Sequence, residues 1–375
     1  MNPLHAQVLS LPALIETETW RLEDSMRKLV PTPVQHAIRQ IFLTGCGDSA
    51  IAAQAAEHSF RSLTAIPTVA TGALDLSRYI LPTFDHGYPH TPFVLAVSNS
   101  GEVARVVEAA KQATAVGGTV VGLTAQADSR LGEASDYTLD ISAPTMPSSP
   151  GMRTYVMPLI ALNLFAIRFA EVRGRITMDQ AQAMRGELAG IGSVLAETLA
   201  VADPILKHVA GSWKDLPAIE FLGSGPNRGS AAFGAAKVLE ATGQSATDID
   251  LEEFVHLQYF ERAARQIGTV VIAPPKSPSS ERAVEVGRFL NTLERPWISI
   301  GAVDDSPVAV PLPEGVREEF APIIHAGIVG LLASHLMDAT NSIPGRGSIG
   351  QWSDSLDGGT TRNSTIASPL FTSAY

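Results

Sequence analysis

Short apolar runs that end in glycine or serine alternate along this chain with stretches whose apolar residues recur every three or four positions. Ile41–Gly45, Pro92–Val97, Thr119–Ala125 and the shorter Tyr137–Ile141 read as buried strands. Gly101–Gly117 carries the helical period and stops at a Gly-Gly pair. Strands and helices joined by short glycine-containing turns predict a parallel sheet covered by helices on both faces. The rhythm returns further on: Thr269–Pro275 reads as a strand, Ser280–Glu294 as a helix and Trp297–Gly301 as a strand. A long helical stretch over 154–202 is expected between the two halves.

The halves also match in detail. "IFLTGCGDSAIAAQAAEHSF" and "EFLGSGPNRGSAAFGAAKVLE" are each an apolar strand, a Gly-x-Gly turn and an Ala-rich helix. Their glycines, Gly45/Gly47 and Gly223/Gly225, lie 178 residues apart. The repeat predicts a helical lead-in over 1–35, one domain over 36–200, a second over 201–343 and a tail over 344–375.

Composition narrows the classes. Of 375 residues, 45% are hydrophobic and 17% charged, ample for two cores. The net charge of −11 and the absence of any basic run exclude a nucleic-acid surface. Cys46 is the only cysteine, so no intrachain disulfide forms and a reducing compartment is the simpler reading. The N-terminus lacks signal-peptide features, and the apolar run Ile323–Leu336 is short for a membrane span. A cytoplasmic protein is expected.

Two loops follow strands of the first half and open helices: "GCGDS" (Gly45–Ser49) and "SNSGE" (Ser98–Glu102). Helix N-termini present unpaired N–H groups to anions, Gly47 lets backbone approach a ligand, and Ser49, Ser98, Asn99 and Ser100 add donors. The competing reading is that these residues merely cap helices. Two matching loops in one domain favour a small phosphate site. A dinucleotide fold is disfavoured by the missing third glycine, and a P-loop by the missing Gly-Lys-Ser/Thr.

In the second half, Lys237 and Glu240 share a helix and His256 follows sixteen residues after Glu240. Taken singly, a surface ion pair and a packed histidine explain these positions. His86 and His90 in "DHGYPH" are four apart, but Gly87 and Pro89 oppose a helix there, and no metal site is expected. Cys46 is expected partly buried in its turn rather than nucleophilic.

Together, "GCGDS", "SNSGE", "FLGSGPNRGSAAFGAAKVLE", "EEFVHLQ" and the tail "TRNSTIA" resemble the sugar isomerase (SIS) family, in particular the isomerase half of glucosamine-6-phosphate synthase. The resemblance implies two tandem SIS domains, each a three-layer αβα sandwich. It implies that Gly47, Ser49, Ser98, Asn99 and Ser100 hold a sugar 6-phosphate and that Glu240 moves a proton between C1 and C2. Lys237 would position substrate or stabilise charge, and His256, supplied by the neighbouring subunit of a homodimer, would assist ring opening. Arg362 and Asn363 would belong to a tail that folds over the active site.

Such isomerisation needs a positioned base and a second proton-handling group, and no metal or redox cofactor. Three departures shape the expectation. The sequence has no glutaminase domain or leading nucleophilic cysteine. Val103 stands where the family has a hydroxyl. Ile366 stands where the synthase has an imine-forming lysine. The pattern therefore sits closer to standalone deaminases and deglycases, acting on an amino sugar 6-phosphate or a phosphorylated Amadori adduct. The alternative is a catalytically silent sugar-phosphate sensor.

Overall fold

The computed structural model describes residues 1–84, 90–301, 303–343 and 359–368. Helices α1 (Pro3–Leu29) and α2 (Thr32–Ala37) precede β1 (Ile41–Gly45), α3 (Asp48–Thr64) and β2 (Thr68–Gly72). A short α4 (Ala73–Asp75) leads through further helical turns to β3 (Phe93–Val97), α5 (Ala104–Ala115), β4 (Thr119–Thr124), α6 (Arg130–Glu133) and β5 (Tyr137–Asp140). Helices α7 (Arg153–Val172) and α8 (Met178–Trp213) follow. Then come β6 (Ala218–Leu222), α9 (Pro226–Thr242), β7 (Ser245–Ile249), α10 (Leu251–Leu257) and β8 (Ile267–Ile272). The chain continues with α11 (Ser280–Thr292), β9 (Trp297–Ile300), β10 (Ala309–Val310), α12 (Ala321–Ala339) and α13 (Gly359–Arg362).

The expected pair of helix-flanked parallel sheets is present. One has the order β2-β1-β3-β4-β5, the other β10-β9-β8-β6-β7. Read from the other edge, the second repeats the first strand for strand. All pairings in both sheets are parallel. The central strands β1, β3 and β8 are buried at every position, as apolar runs covered on both faces must be.

By their internal contacts, the residues fall into two compact units. The first-sheet unit comprises described residues of Ile15–Pro144 and Thr154–Ala189 together with tail residues 359–368. Its core joins Phe42, Val94, Ala96, Val106, Val107 and Val120 across sheet and helix. The second-sheet unit comprises Met1–Leu14, Thr145–Arg153 and the described residues of Gly190–Gly350. Its core includes Leu222, Phe254, Val271, Leu290 and Trp297.

Three local expectations are corrected. The helical stretch over 154–202 is two helices, because Thr177 and Gln180 form a reciprocal capping box that restarts the chain: Gln180 N–H donates to Thr177 Oγ1 at 3.1 Å and Thr177 N–H to Gln180 Oε1 at 2.8 Å. Helix α5 begins at Ala104, after Glu102 and Val103 complete the loop. The apolar run near Ile323 lies within a 19-residue helix, long and apolar enough to cross a membrane by composition; 94% of its apolar window is nonetheless buried within the protein.

Candidate functional site

In an open parallel sheet, ligands settle where the strand order reverses, outside the carboxyl ends of the two strands concerned. In the first sheet that point lies between β1 and β3, which are paired with Ile41 opposite Phe93. The loops leaving these two strands are Gly45–Ser49 and Ser98–Glu102. Topology thus brings both hydroxyl-bearing loops to one crevice.

The capping reading of these loops does not hold. Neither α3, whose N-cap is Gly47, nor α5, whose N-cap is Val103, has a side-chain cap. No side chain therefore competes with an anion at either helix start. Gly47 adopts φ 55° and ψ −132°, a conformation that only glycine takes without strain, and it brings bare backbone to the loop surface. Gly225, 178 residues on, repeats it at φ 59° and ψ −134°. The sequence repeat is therefore a repeat of backbone geometry.

Ser98 is 2% exposed, yet its Oγ has no hydrogen-bond partner among the described residues. An orphaned buried hydroxyl costs about 1–3 kcal/mol unless a ligand answers it. Ser49, Asn99 and Ser100 are half-buried beside it, and Gly47 is exposed. Ser100 Oγ accepts from Glu102 N–H at 3.3 Å, holding the second turn in shape. Cys46 is half-buried against the first core, and burial pushes its thiol pKa up, as expected of a packed rather than reactive thiol.

Positive charge gathers on α5, the helix that follows the second loop, with no periodic trace in the sequence. Glu108, fully buried on α5, is shared by Arg78 and Arg105. Two guanidiniums against one carboxylate leave a net positive charge in an acidic protein. Burial pushes the Glu108 pKa up, but hydrogen bonds from Arg78 and the Ala367 N–H, with the Arg105 charge, hold it at about 2. Only the 3D fold could reveal this, since Arg78 and Glu108 are thirty residues apart.

The described tail lies along α5. Ala367 N–H donates to Glu108 Oε2 at 2.7 Å, Gln112 Nε2 to the Ser368 carbonyl at 3.1 Å, and Arg105 to the Thr365 carbonyl. Arg130 joins Glu102 of the second loop to the Arg362 carbonyl, the latter at 2.6 Å. The side chains of Arg362 and Asn363 are exposed, whereas Ile366 packs against the first core.

The second sheet has the corresponding crevice at β6 and β8, and there the protein supplies its own anion. Glu318 accepts from Ser277 Oγ at 2.6 Å and from Asn227 Nδ2 at 3.4 Å. Asn227 is the counterpart of Ser49 under the 178-residue offset.

Helix α9, which leaves β6, carries Lys237 and Glu240. Lys237 Nζ lies 2.6 Å from Glu240 Oε2, with the lysine wholly buried and Glu240 41% exposed. The lysine also approaches the Gly151 carbonyl at 3.5 Å and the Phe233 ring at 5.0 Å. A surface ion pair is therefore the wrong description. Nor is His256 packed: it is 62% exposed at the end of α10, with Nε2 2.9 Å from Glu252 Oε1. Hydrogen bonds from His256 and then Arg282 hold the Glu252 pKa below the usual carboxylate range. His86 lies outside the described residues, and His90 is exposed.

Two parallel sheets of one strand order, each with a crevice at its switch point, define a duplicated α/β protein. Residues 36–168 match the family model described as the SIS domain. The chain is 27% identical over 305 residues to the isomerizing glutamine–fructose-6-phosphate aminotransferase of Pyrococcus horikoshii, covering 79% of this chain and 48% of that protein. It thus spans about half the length of the curated relatives it matches. The fold matches the C-terminal domain of glucosamine-fructose-6-phosphate aminotransferase from Francisella tularensis, with a TM-score of 0.81, 16% identity, and coverage of 92% of this chain and 98% of that one. It also matches glucosamine-6-phosphate deaminase from Thermotoga maritima, with a TM-score of 0.69, 15% identity, and coverage of 91% and 96%.

Proposed function

We propose that the protein is a phosphosugar isomerase–deaminase or deglycase of the cytoplasm, acting as a homodimer on an amino sugar 6-phosphate or a phosphorylated Amadori adduct. The observation that carries this reading is the orphaned Ser98 hydroxyl between two uncapped helix N-termini at the first sheet's switch point. A phosphate satisfies all three donors at once. Gly47, Ser49, Asn99 and Ser100 complete its contacts, and Arg362 and Asn363 of the tail are assigned to the same ligand.

Glu240 is the base. Its carboxylate takes a proton from the carbon next to the carbonyl or imine, giving an enediol or enolamine, and returns it to the neighbouring carbon. With an amino substituent, this converts an amine into an imine; water then adds and the amine leaves. Lys237 fixes the carboxylate from its buried side. Anchoring the unreactive phosphate orients the reacting carbons.

His256 serves ring opening in a second copy of the chain. Its exposure, and the exposed Leu257, Tyr259 and Phe260 beside it, support an apolar face that another protomer covers.

The test is a panel of amino-sugar phosphates and phosphorylated Amadori compounds, read by amine release and ketose or aldose formation. Glu240→Gln should lower turnover about 10²–10⁴-fold on the accepted substrate while leaving its binding nearly intact. Wild-type rates in that variant would defeat the mechanism. Thermal stabilisation across the panel without any product would point to a sensor instead.

A further inference from the structure

Three side chains from three helices of the second-sheet unit converge away from its crevice: His5 from the start of α1, Asp203 from α8 and His335 from α12. His335 Nε2 lies 2.7 Å from Asp203 Oδ1, and His5 Nε2 lies 3.8 Å from the same oxygen. One donor atom from each residue falls within 4.8 Å of the other two. The imidazoles meet edge to face, with centroids 5.2 Å apart. They are nearly enclosed, at 12% and 8% exposure, while Asp203 keeps 41%.

The hydrogen bonds around the cluster fix which nitrogen of His5 carries its lone pair. Ser334 Oγ donates to the Leu331 carbonyl at 2.9 Å and lies 3.3 Å from His5 Nδ1. With its one proton committed, the hydroxyl accepts from His5 Nδ1–H, so neutral His5 presents the Nε2 lone pair to Asp203 and His335. Metal-ligating histidines are oriented in this way, through a hydrogen bond on the far nitrogen. A hydrogen bond between His335 and Asp203 needs no second enclosed imidazole turned by its lone pair toward the same carboxylate. Two acceptors facing one another call for a cation between them.

We propose that His5, Asp203 and His335 form a site for a divalent first-row metal ion, zinc by its ligand chemistry. Two imidazoles and one carboxylate are a zinc donor set, and a fourth position opens toward the surface recess lined by His5, Leu9, Ala200 and Asp203. Ligand bonds of about 2.0–2.1 Å set donor atoms about 3.3 Å apart in a tetrahedron. The shorter contact opens, and the longer one closes, by about half an ångström each to meet that geometry. The ion ties α1, α8 and α12 together and takes no part in proton transfer at Glu240. The site stands independently of the proposed enzyme activity.

The full chain, stripped with a chelator, is titrated with Co²⁺ and followed by visible absorption and thermal denaturation. One equivalent should produce the d–d bands of four-coordinate cobalt without thiolate charge transfer, be displaced by Zn²⁺, and raise Tm as the metal concentration rises. Asp203→Asn and His5→Gln should each weaken binding at least about tenfold with unchanged circular dichroism, and Ser334→Ala should weaken it by a smaller factor. No saturable binding in the wild-type chain, or undiminished binding in the H5Q/D203N double variant, overturns the site.

Discussion

Lys237 and Glu240 form a 2.6 Å ion pair of unequal halves: the ammonium is sealed inside the second-sheet unit, while the carboxylate is open to solvent on one side. The two deletions should therefore differ. Glu240→Ala takes from the buried ammonium the carboxylate that lies 2.6 Å away, a loss on the order of 1.5–3 kcal/mol. Lys237→Met leaves a carboxylate that water can still reach, and methionine fills much of the lysine's space. Denaturant unfolding should place Glu240→Ala well below Lys237→Met in stability. Equal losses would show that the lysine is not enclosed as described.

Ser98→Ala separates binding from folding. The hydroxyl has no partner among the described residues, so its removal relieves a buried unsatisfied group and leaves Tm unchanged or raised. The same change deletes a hydrogen bond to an anionic ligand, worth about 1.5–3 kcal/mol, and should weaken phosphosugar binding about 10–100-fold. Calorimetric titration beside a melting curve checks both signs. A loss of stability with unaltered affinity would remove Ser98 from the cradle.

The self-filled crevice of the second sheet makes the opposite forecast. Glu318→Ala takes the acceptor from Ser277 Oγ and Asn227 Nδ2, which are 8% and 0% exposed by residue. The cost should be about 1–3 kcal/mol. Inorganic phosphate should recover part of the lost Tm in this variant more effectively than it stabilises the wild-type chain, because a small anion can take the vacated acceptor role.

These relationships also mark how far the sequence could be read. Strands such as Phe93–Val97 announce themselves because both faces of a parallel sheet are buried, and the Gly-x-Gly turns announce their helices. β7, "SATDI", did not: it is a short, polar, half-exposed edge strand without an apolar run. Ser98 and its neighbours were legible as donors, but the absence of caps on α3 and α5 belongs to backbone geometry. The Arg78–Glu108–Arg105 cluster and Glu318 were invisible, because long-range contacts between charged residues leave no periodic trace. Lys237 looked like a surface residue because a helix without a clear polar face does not reveal which of its charged side chains is enclosed.

Glu108 gives the first-sheet unit an acid limb. Its folded pKa, about 2, lies below the ordinary 4.5, so its contribution is fully present above the unfolded pKa. It is lost as pH falls from about 5 toward 2, an amount on the order of 2–3 kcal/mol. Because Ala367 N–H donates to this carboxylate, protonation should also loosen the tail on α5. Hydrogen exchange at the Ala367 amide should quicken over that window, and Glu108→Gln should flatten the dependence while lowering stability at neutral pH.

If His256 serves the active site of a second protomer, two inactive variants should complement each other. Glu240→Gln and His256→Asn each spoil every site in their own homodimer. In a mixed dimer, one site receives both altered residues and the other receives neither. Refolding an equal mixture should therefore restore about a quarter of wild-type activity, since half the dimers are mixed and each has one intact site. The exposed Leu257, Tyr259 and Phe260 fix where that contact is sought: Phe260→Glu should shift the dimer toward monomer in light scattering and reduce the activity of otherwise wild-type protein. Complementation at the level of the unmixed variants, with dimers intact, would mean that Glu240 and His256 act within one chain or that His256 has no part in the reaction.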